Sequence, residues 1–545
     1  MSSTSPRKSH TLVIASRQSA LARLQSYAVG AALKEAWPHL KIEYLFKESL
    51  GDKNLDAPLW QMPEKGVFTR DLQVDLEAGN CDMVVHSWKD LPLEMPDSTQ
   101  IAATLAREDC RDLLLVKRSF LKTLSPGASV DKLTLLSSSP RRAHNLGKSL
   151  ESLLPFECKE IAFEAVRGNV PTRVAKLLKH PDAAGLILAR AALERLLAPC
   201  PTLDLEVQNF QVQLRADLLQ CEWMILPARL NPTAPAQGAL AIEIRKDRED
   251  LRVLLERIHH PEDFRDVLIE REVLAHFGGG CHQKIGANVL RLGSDGQRVL
   301  ILKGQRESGE TLDFEGFVED FPYPLRSSPS VPRLKSEGPY WPASNGDREA
   351  VFRRVPLAPL PQRESLGVAP LLFVVGRSEA VPEGWHFLSE DRVFSAGIES
   401  WKKLAARGIW VHASFEGLGE TRAQSKLFPP ALRTYKFSHE KAPSIEGEIL
   451  IPTYRLEVSR PHDTIVPPGT QECFWMSSTL FEEALRRDPE LLSRVRVHAC
   501  GPGHTLRSVA PRVQAAGGKC SVYLGLEHWR SSRENASCNE KVNPQ

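Results

Sequence analysis

Thr11-Leu12-Val13-Ile14-Ala15-Ser16, then Arg17-Gln18-Ser19, then Ala20-Leu21-Ala22-Arg23-Leu24 is the stretch that decides the fold. Its first six residues read as a buried strand. Ser19 can cap a helix whose residues Leu21, Leu24, Ala28 and Ala32 share an apolar face. Working outward, KIEYLF (41–46) is a second strand, TRDLQVDLEAG (69–79) a short helix stopped by Gly79, and DMVVHS (82–87) and DLLLV (112–116) further strands. Strand alternating with helix specifies an α/β sheet. The alternation continues through KLTLLSS (132–138), GLILA (185–189) and the helix RAALERLL (190–197), and two helices between 249 and 277 lead to strands such as RVLILKGQ (298–305), a smaller α+β unit.

A proline-rich, aperiodic segment, 326–365, reads as a linker. Beyond it LLFVVG, IWVHAS, EILIPTYRLEV, ECFWMSS and VRVHACG alternate with helical runs, which gives a second α/β body over 366–530, and the polar tail 531–545 reads as disordered. The chain has 545 residues, 42% hydrophobic and 25% charged, ordinary values for soluble multidomain proteins. Its 70 basic and 68 acidic residues leave a net charge of +2, which argues against a nucleic-acid coat and requires any anion site to be local. The 10 cysteines form no C-x-x-C pair and no zinc spacing, so no metal is expected and free thiols in a reducing cytoplasm are. Neither a signal peptide nor a membrane span is legible.

Three turns concentrate basic groups at helix starts. Arg17-Gln18-Ser19 is one, Ser137-Ser138-Ser139-Pro140-Arg141-Arg142 the second and Arg167-Gly168-Asn169-Val170-Pro171-Thr172-Arg173 the third. Each sets guanidiniums beside the unpaired amides of a helix N-terminus, a receptor for carboxylate or phosphate, and repetition implies a ligand with several carboxylates. The bland alternative is ordinary caps with solvated arginines. Lys89-Asp90 follows the strand DMVVHS, where open α/β sheets bind ligands, although a lone Lys-Asp pair is more often a surface ion pair. Gly278-Gly279-Gly280-Cys281 breaks a helix beside a thiol, and a buried inert cysteine is the commoner case there.

Taken in order, IASRQSALA (14–22), EKGVFTRDL (64–72), DMVVHSWKDLP (82–92), REDCRD (107–112), SSSPRR (137–142), RGNVPTR (167–173), AQGALAIE (236–243) and GGGC (278–281) resemble the porphobilinogen deaminase family, the hydroxymethylbilane synthases, over residues 11–325. The resemblance implies two α/β domains like the type II periplasmic-binding fold, 11–110 with 210–245 and 111–209. A small α+β domain, 246–325, would carry the cofactor cysteine. It implies a dipyrromethane cofactor in thioether linkage to Cys281, with Arg141, Arg142, Ser138 and Lys65 also contacting it. Asp90, assisted by Lys89, would be catalytic, and Arg17, Ser19, Arg167, Arg173 and Gln237 would bind substrate. The implied reaction joins four porphobilinogens head to tail with loss of ammonia, a transferase step of tetrapyrrole (haem) biosynthesis in a cytoplasmic monomer without nucleic-acid or membrane partners.

The second body resembles uroporphyrinogen-III synthase in RGIWVHASFEGLG (407–419), PTYRLE (452–457), FWMSSTLFEEAL (474–485) and VHACGPGHTLRSV (497–509). That resemblance implies a cofactor-free lyase with a cleft between two α/β domains, and makes Tyr454, Ser477, Thr479 and His504 its candidates. The chain is then a multifunctional enzyme. The alternatives are a monofunctional deaminase with a non-catalytic C-terminal domain, or a non-catalytic carboxylate-binding protein of periplasmic-binding type.

Overall fold

The computed structural model describes residues 11–48, 70–125, 127–202, 204–279, 283–293, 296–328, 338–342, 351–420, 427, 432–459 and 463–539, with side chains up to 533. Cys281 and Lys65 lie outside the described residues. The α/β multidomain expectation holds: the described strands form five sheets.

The first lobe orders its strands Lys41–Lys47, Thr11–Arg17, Met83–Ser87, Leu240–Arg245 and Thr99–Ala103. The first three run parallel, while Leu240–Arg245 is antiparallel to both neighbours. The second lobe repeats the plan with Glu157–Glu164, Ser129–Leu136, Ala183–Ala189, Asp112–Lys117 and Cys221–Ile225, its antiparallel member being Asp112–Lys117. In each lobe the antiparallel strand is the one reached directly from the other lobe. Two crossovers, 104–111 outward and 226–239 back, therefore tie the lobes together. A third unit packs the antiparallel strands Gly286–Leu292, Gln297–Gln305 and Thr311–Phe317 under the helix Pro261–His276, around Ile269, Val273, Ala287 and Leu300.

The C-terminal body is two α/β units. Its six-stranded sheet runs Phe352–Pro356, Glu448–Val458, Thr434–His439, Leu372–Val375, Arg392–Ser395 and Ala413–Ser414, parallel throughout except for the first pair. Its four-stranded sheet, Tyr340–Trp341, Glu472–Trp475, Val497–Cys500 and Lys519–Val522, is all parallel. The chain enters the smaller unit, builds the larger and returns, passing in both directions along the antiparallel ladder of 352–356 on 454–458 at the edge of the larger sheet.

Four expectations are corrected. The segment 326–365 is no plain linker, since it supplies the edge strands Tyr340–Trp341 and Phe352–Pro356; short edge strands tolerate proline and leave no periodicity to read. Cys221–Ile225 joins the second lobe, not the first, because CEWMI is buried throughout and carries no sign of which sheet it enters. The tail does not begin at 531: the helix Leu526–Asn539 runs through it, with Trp529 and Ser532 buried and Arg533 stacked over Tyr340 at 4.6 Å. Finally, the first helix buries Ala22, Leu24, Tyr27, Val29 and Leu33 while Ala28 is exposed. That helix packs on the strands of its own sheet and also on the helices 190–197 and 205–218, so its covered arc is wider and rotated.

The C-terminal body packs on both the second lobe and the third unit. The Ile225 amide donates to the His412 carbonyl at 2.7 Å, and the Trp410 indole to the Trp223 carbonyl at 3.0 Å. Leu292, Val299 and Phe317 of the third unit share a core with Phe474, Val522, Tyr523 and Trp529.

Candidate active site

The strand Met83–Ser87 ends in a single tight turn, Trp88–Asp90. Trp88 is the anchor of that turn: it is buried against Phe264 at 5.0 Å, and its amide donates to the Ala239 carbonyl at 3.1 Å. From the helix Pro261–His276, Arg271 donates to the carbonyls of Trp88 at 3.3 Å, Leu91 at 3.2 Å and Pro92 at 2.5 Å. With the indole pinned, Lys89 and Asp90 are left facing the cleft between the lobes, where Asp90 is exposed.

That cleft has a volume of about 300 Å³. Among the described residues its lining carries six cationic side chains, Arg17, Lys89, Arg142, Arg167, Arg173 and Arg195, against one carboxylate, Asp90. Ser19 and Gln237 also face it. The caps read from sequence are formed: Ser19 Oγ accepts from the Ala22 amide at 3.4 Å, and Asn169 Oδ1 from the Thr172 amide at 2.9 Å. Gly168 has φ 113°, and a Cβ there would meet Thr172 Cγ2 at 2.8 Å, so the turn that delivers Arg167 requires glycine. The starts of the helices 20–36, 170–179 and 190–197 all border the cleft and add their positive dipole ends to its cationic field.

Behind the lining lies one buried carboxylate. Asp112, fully buried, accepts from Arg141 at 2.9 Å, Arg142 at 2.7 Å, Asn231 at 2.8 Å and Gln237 at 2.8 Å. Burial alone would raise its carboxyl, but Arg141 and Arg142 hold it well below the usual range. Gln237 in turn accepts from Lys89 Nζ at 3.1 Å, so Asp112 orients both Arg142 and, through Gln237, Lys89. Burial lowers the Lys89 ammonium below its ordinary range, with Asp90 opposing and Arg142 reinforcing. Burial, then Arg142 and Arg167, bring Arg173 down to about 10, and burial brings Arg195 to about 10 against the pull of Glu108.

Arg141 and Ser138 are not among the residues that line the cleft. The Arg141 guanidinium is spent on Asp112, Asn231 and the Pro232 carbonyl at 2.6 Å. Ser138 is likewise turned inward, its hydroxyl donating to the Val166 carbonyl at 2.6 Å and accepting from the Val166 amide at 2.9 Å, which fixes the approach to the Arg167 turn. Sequence reasoning missed Arg195, Asp112 and Arg271. Arg195 stood in a stretch read only as a helix, and nothing local marked it; Asp112 opens a strand otherwise apolar as far as Val116.

In the C-terminal body, Ser477 caps the helix Ser478–Arg487 by accepting from the Leu480 amide at 3.3 Å, and His504 Nε2 meets Ser508 Oγ at 3.2 Å. Tyr454 is buried 6.0 Å from the His439 ring, and Thr479 lies in the first turn of the Ser477-capped helix. Each of these contacts is made to a residue of the same unit. The two units touch where Gly419 and Gly503 face each other so closely that a Cβ on either would lie 2.6 Å from the other's Cα. Lys436, paired with Glu420, lies near His504 and lowers it after burial and Arg507.

Among the described residues no group of three or more His, Cys, Asp or Glu side chains could hold a metal ion, and no helix is long and apolar enough to cross a membrane.

Fold and site together define a two-lobed α/β protein whose lobes, joined by two crossovers, flank an arginine-lined cleft in which, among the described residues, Asp90 is the one carboxylate. Residues 12–253 match the family model described as porphobilinogen deaminase, dipyromethane cofactor binding domain. The porphobilinogen deaminase of Nostoc sp. is 34% identical over 314 residues, 57% of this chain and 84% of the relative. That of Chromobacterium violaceum is 36% identical over 277 residues, 51% of this chain and 79% of the relative. The chain belongs to the porphobilinogen deaminase family, and the matched segment is that family's dipyrromethane cofactor binding domain. Among solved structures, the BenM effector binding domain with its effector benzoate aligns with 50% of the chain and 94% of its own length at 16% identity and a TM-score of 0.24, too low to carry an argument.

Proposed function

We propose that the protein is a hydroxymethylbilane synthase that condenses four porphobilinogens with loss of ammonia, and that its C-terminal body closes the linear product to uroporphyrinogen III. The observation that carries the first part is the cleft whose described lining sets six cations together with the exposed carboxylate of Asp90. The donor set fits a dipyrromethane bearing several carboxylates, and among the described residues the buried Nε of Arg142 has no hydrogen-bond partner. Arg142 would hold such a group with Cys281 as its covalent anchor. When bound, dipyrromethane supplies the pyrrole end on which the chain grows.

The remaining work falls to the protein's own groups. Arg17, Arg167 and Arg173, with the Ser19 hydroxyl and the amides at the helix starts, pair with the acetate and propionate of porphobilinogen and fix its ring over the Asp90 turn. Asp90 then offsets the positive charge that develops at the pyrrole nitrogen as ammonia leaves, and accepts the α-proton after coupling. Lys89, steered by Gln237, binds a carboxylate beside it.

For the second part, support comes from two α/β units between which the chain passes twice and which meet at Gly419 and Gly503. Ring closure there would rest on holding the chain ends, with Tyr454, Ser477, Thr479 and His504 as the polar candidates. One experiment addresses both parts. Purified full chain is weighed intact and then given porphobilinogen, and the oxidised uroporphyrin isomers are separated by chromatography. Added mass of a dipyrromethane, lost in Cys281→Ser, and mostly type III product are expected. Consumption of porphobilinogen with type I product alone leaves a monofunctional deaminase, and neither added mass nor turnover leaves a carboxylate-binding protein.

A further inference from the structure

Two crossovers tie the lobes together, and a residue of the C-terminal body is set into both. Glu416, 3% exposed, accepts from the Ala228 amide at 3.1 Å and the Arg229 amide at 3.0 Å, one on each carboxylate oxygen, where the return crossover begins. It also pairs at 3.4 Å with Arg111, where the outward crossover ends. Arg111 further donates to the Ser414 carbonyl at 2.8 Å. Glu416 has φ 54°, a left-handed conformation that a non-glycine residue keeps only when its surroundings hold it. Its own amide donates to Ser414 Oγ at 2.9 Å.

From that point contacts run without a gap to the cleft. Arg111 forks onto Asp109 at 3.0 and 2.7 Å, and Asp109 pairs with Arg190, the first residue of the helix that carries Arg195. The Arg190 amide donates to the Arg111 carbonyl at 3.0 Å. The next residue, Asp112, orients Arg142 and Gln237, and the Leu226 amide donates to the Asp112 carbonyl at 2.8 Å, which binds one crossover to the other. Arg229 also pairs with Glu315 of the third unit at 2.5 Å. Three bodies therefore meet where the crossovers join the lobes.

We propose that Glu416 is a positioning residue for the deaminase reaction, fixing from the C-terminal body the angle at which the two lobes present Asp90 and the cleft arginines to the growing chain. The inference rests on the deaminase reading above. A helix or loop that absorbs hinge motion changes turnover without touching substrate, and a contiguous network carries that effect only if breaking it changes the rate.

The test uses the full-length holoenzyme with Glu416→Ala, Glu416→Gln and, as a control on the exposed Lys159–Asp131 pair, Lys159→Ala. Porphobilinogen turnover, the distribution of partly elongated complexes by intact mass, and hydrogen exchange at residues 104–112 and 226–231 are measured. The Ala variant is expected to lose about 3- to 30-fold in kcat, the range of coupling effects along such networks. It should accumulate partly elongated complexes and exchange faster at both crossovers. The Gln variant, which keeps an acceptor for one amide, should recover part of each loss, and Lys159→Ala should match the parent. Parent-like kcat and complex distribution in a folded Ala variant overturns the inference. Should Ala not fold, the same parent-like behaviour together with faster exchange in the Gln variant overturns it. A parent that consumes no porphobilinogen overturns the functional reading itself, a result distinct from an active parent with an indifferent Glu416.

Discussion

Replacing Asp112 by Asn tests the buried support of the cleft most directly. The carboxylate is fully buried and pairs with two guanidiniums that are 3% and 7% exposed, at 2.9 and 2.7 Å, offsetting one of their two charges, while also accepting from Asn231 and Gln237. An amide of the same size keeps one acceptor oxygen. Its NH2 must face donors, and two buried positive charges are left without a counter-ion. Breaking a buried pair of this kind costs about 3–5 kcal/mol. At 1.36 kcal/mol per decade that is on the order of 10²–10⁴ in the folding equilibrium, a large share of the roughly 5–15 kcal/mol a domain has. The assay is urea unfolding of full-length parent and variant, following exchange protection of the second-lobe strands so that one domain is reported. The pH dependence has a definite sign. A carboxyl held below its ordinary value stabilises the fold fully above the unfolded aspartate range, near about 3.9, and the contribution fades as pH falls through the folded value. The gap between parent and variant should thus be constant from neutrality to about pH 5 and narrow below pH 4. Because Arg142 and Lys89 lose their orientation as well, kcat/KM should fall at least about 100-fold. A variant within about 1 kcal/mol of the parent, with unchanged kcat/KM, would refute the claim that Asp112 holds these groups.

Asp90→Asn in cofactor-loaded enzyme should leave substrate binding near normal and lower kcat about 100-fold or more, because only the charge that stabilises the developing cation is lost; unchanged single-turnover rates would remove Asp90 from the chemistry. KM for porphobilinogen should climb on the alkaline side before the ordinary lysine range is reached, since Lys89 is lowered and Arg173 sits at about 10. Loss of either proton removes a carboxylate partner, and a KM flat to pH 10 would contradict the burial assigned to both. Arg142→Lys should rescue Arg142→Leu only in part, as an ammonium cannot make both the Asp112 contact at 2.7 Å and the Ile187 carbonyl contact at 3.1 Å in the guanidinium's planar geometry; equal cofactor occupancy in the two variants would count against that.

Much of the site was legible because its devices are local. Ser19, Ser139 and Asn169 announce helix starts, proline at 140 and 171 confirms two of them, and arginines flank all three, so the capped, arginine-bearing turns could be read before any fold was known. The family blocks then assigned Asp90 and the glycine-rich approach to Cys281, though not where neighbouring residues point. Arg141 and Arg142 are adjacent in sequence, yet only one reaches the cleft, because residues of a helix one step apart face different ways and Asp112 with Asn231 claims the other. Local pattern determined strands, helices and caps, which depend on side chains a few residues apart. Which sheet takes Cys221–Ile225, which edge strands hide in the proline-rich 326–365, why Arg195 lines a cleft and how Glu416 reaches a crossover 188 residues away were decided by the tertiary structure alone. Each depends on groups brought together only when distant segments pack, and a buried run or an isolated charge carries no label naming the partner it will meet.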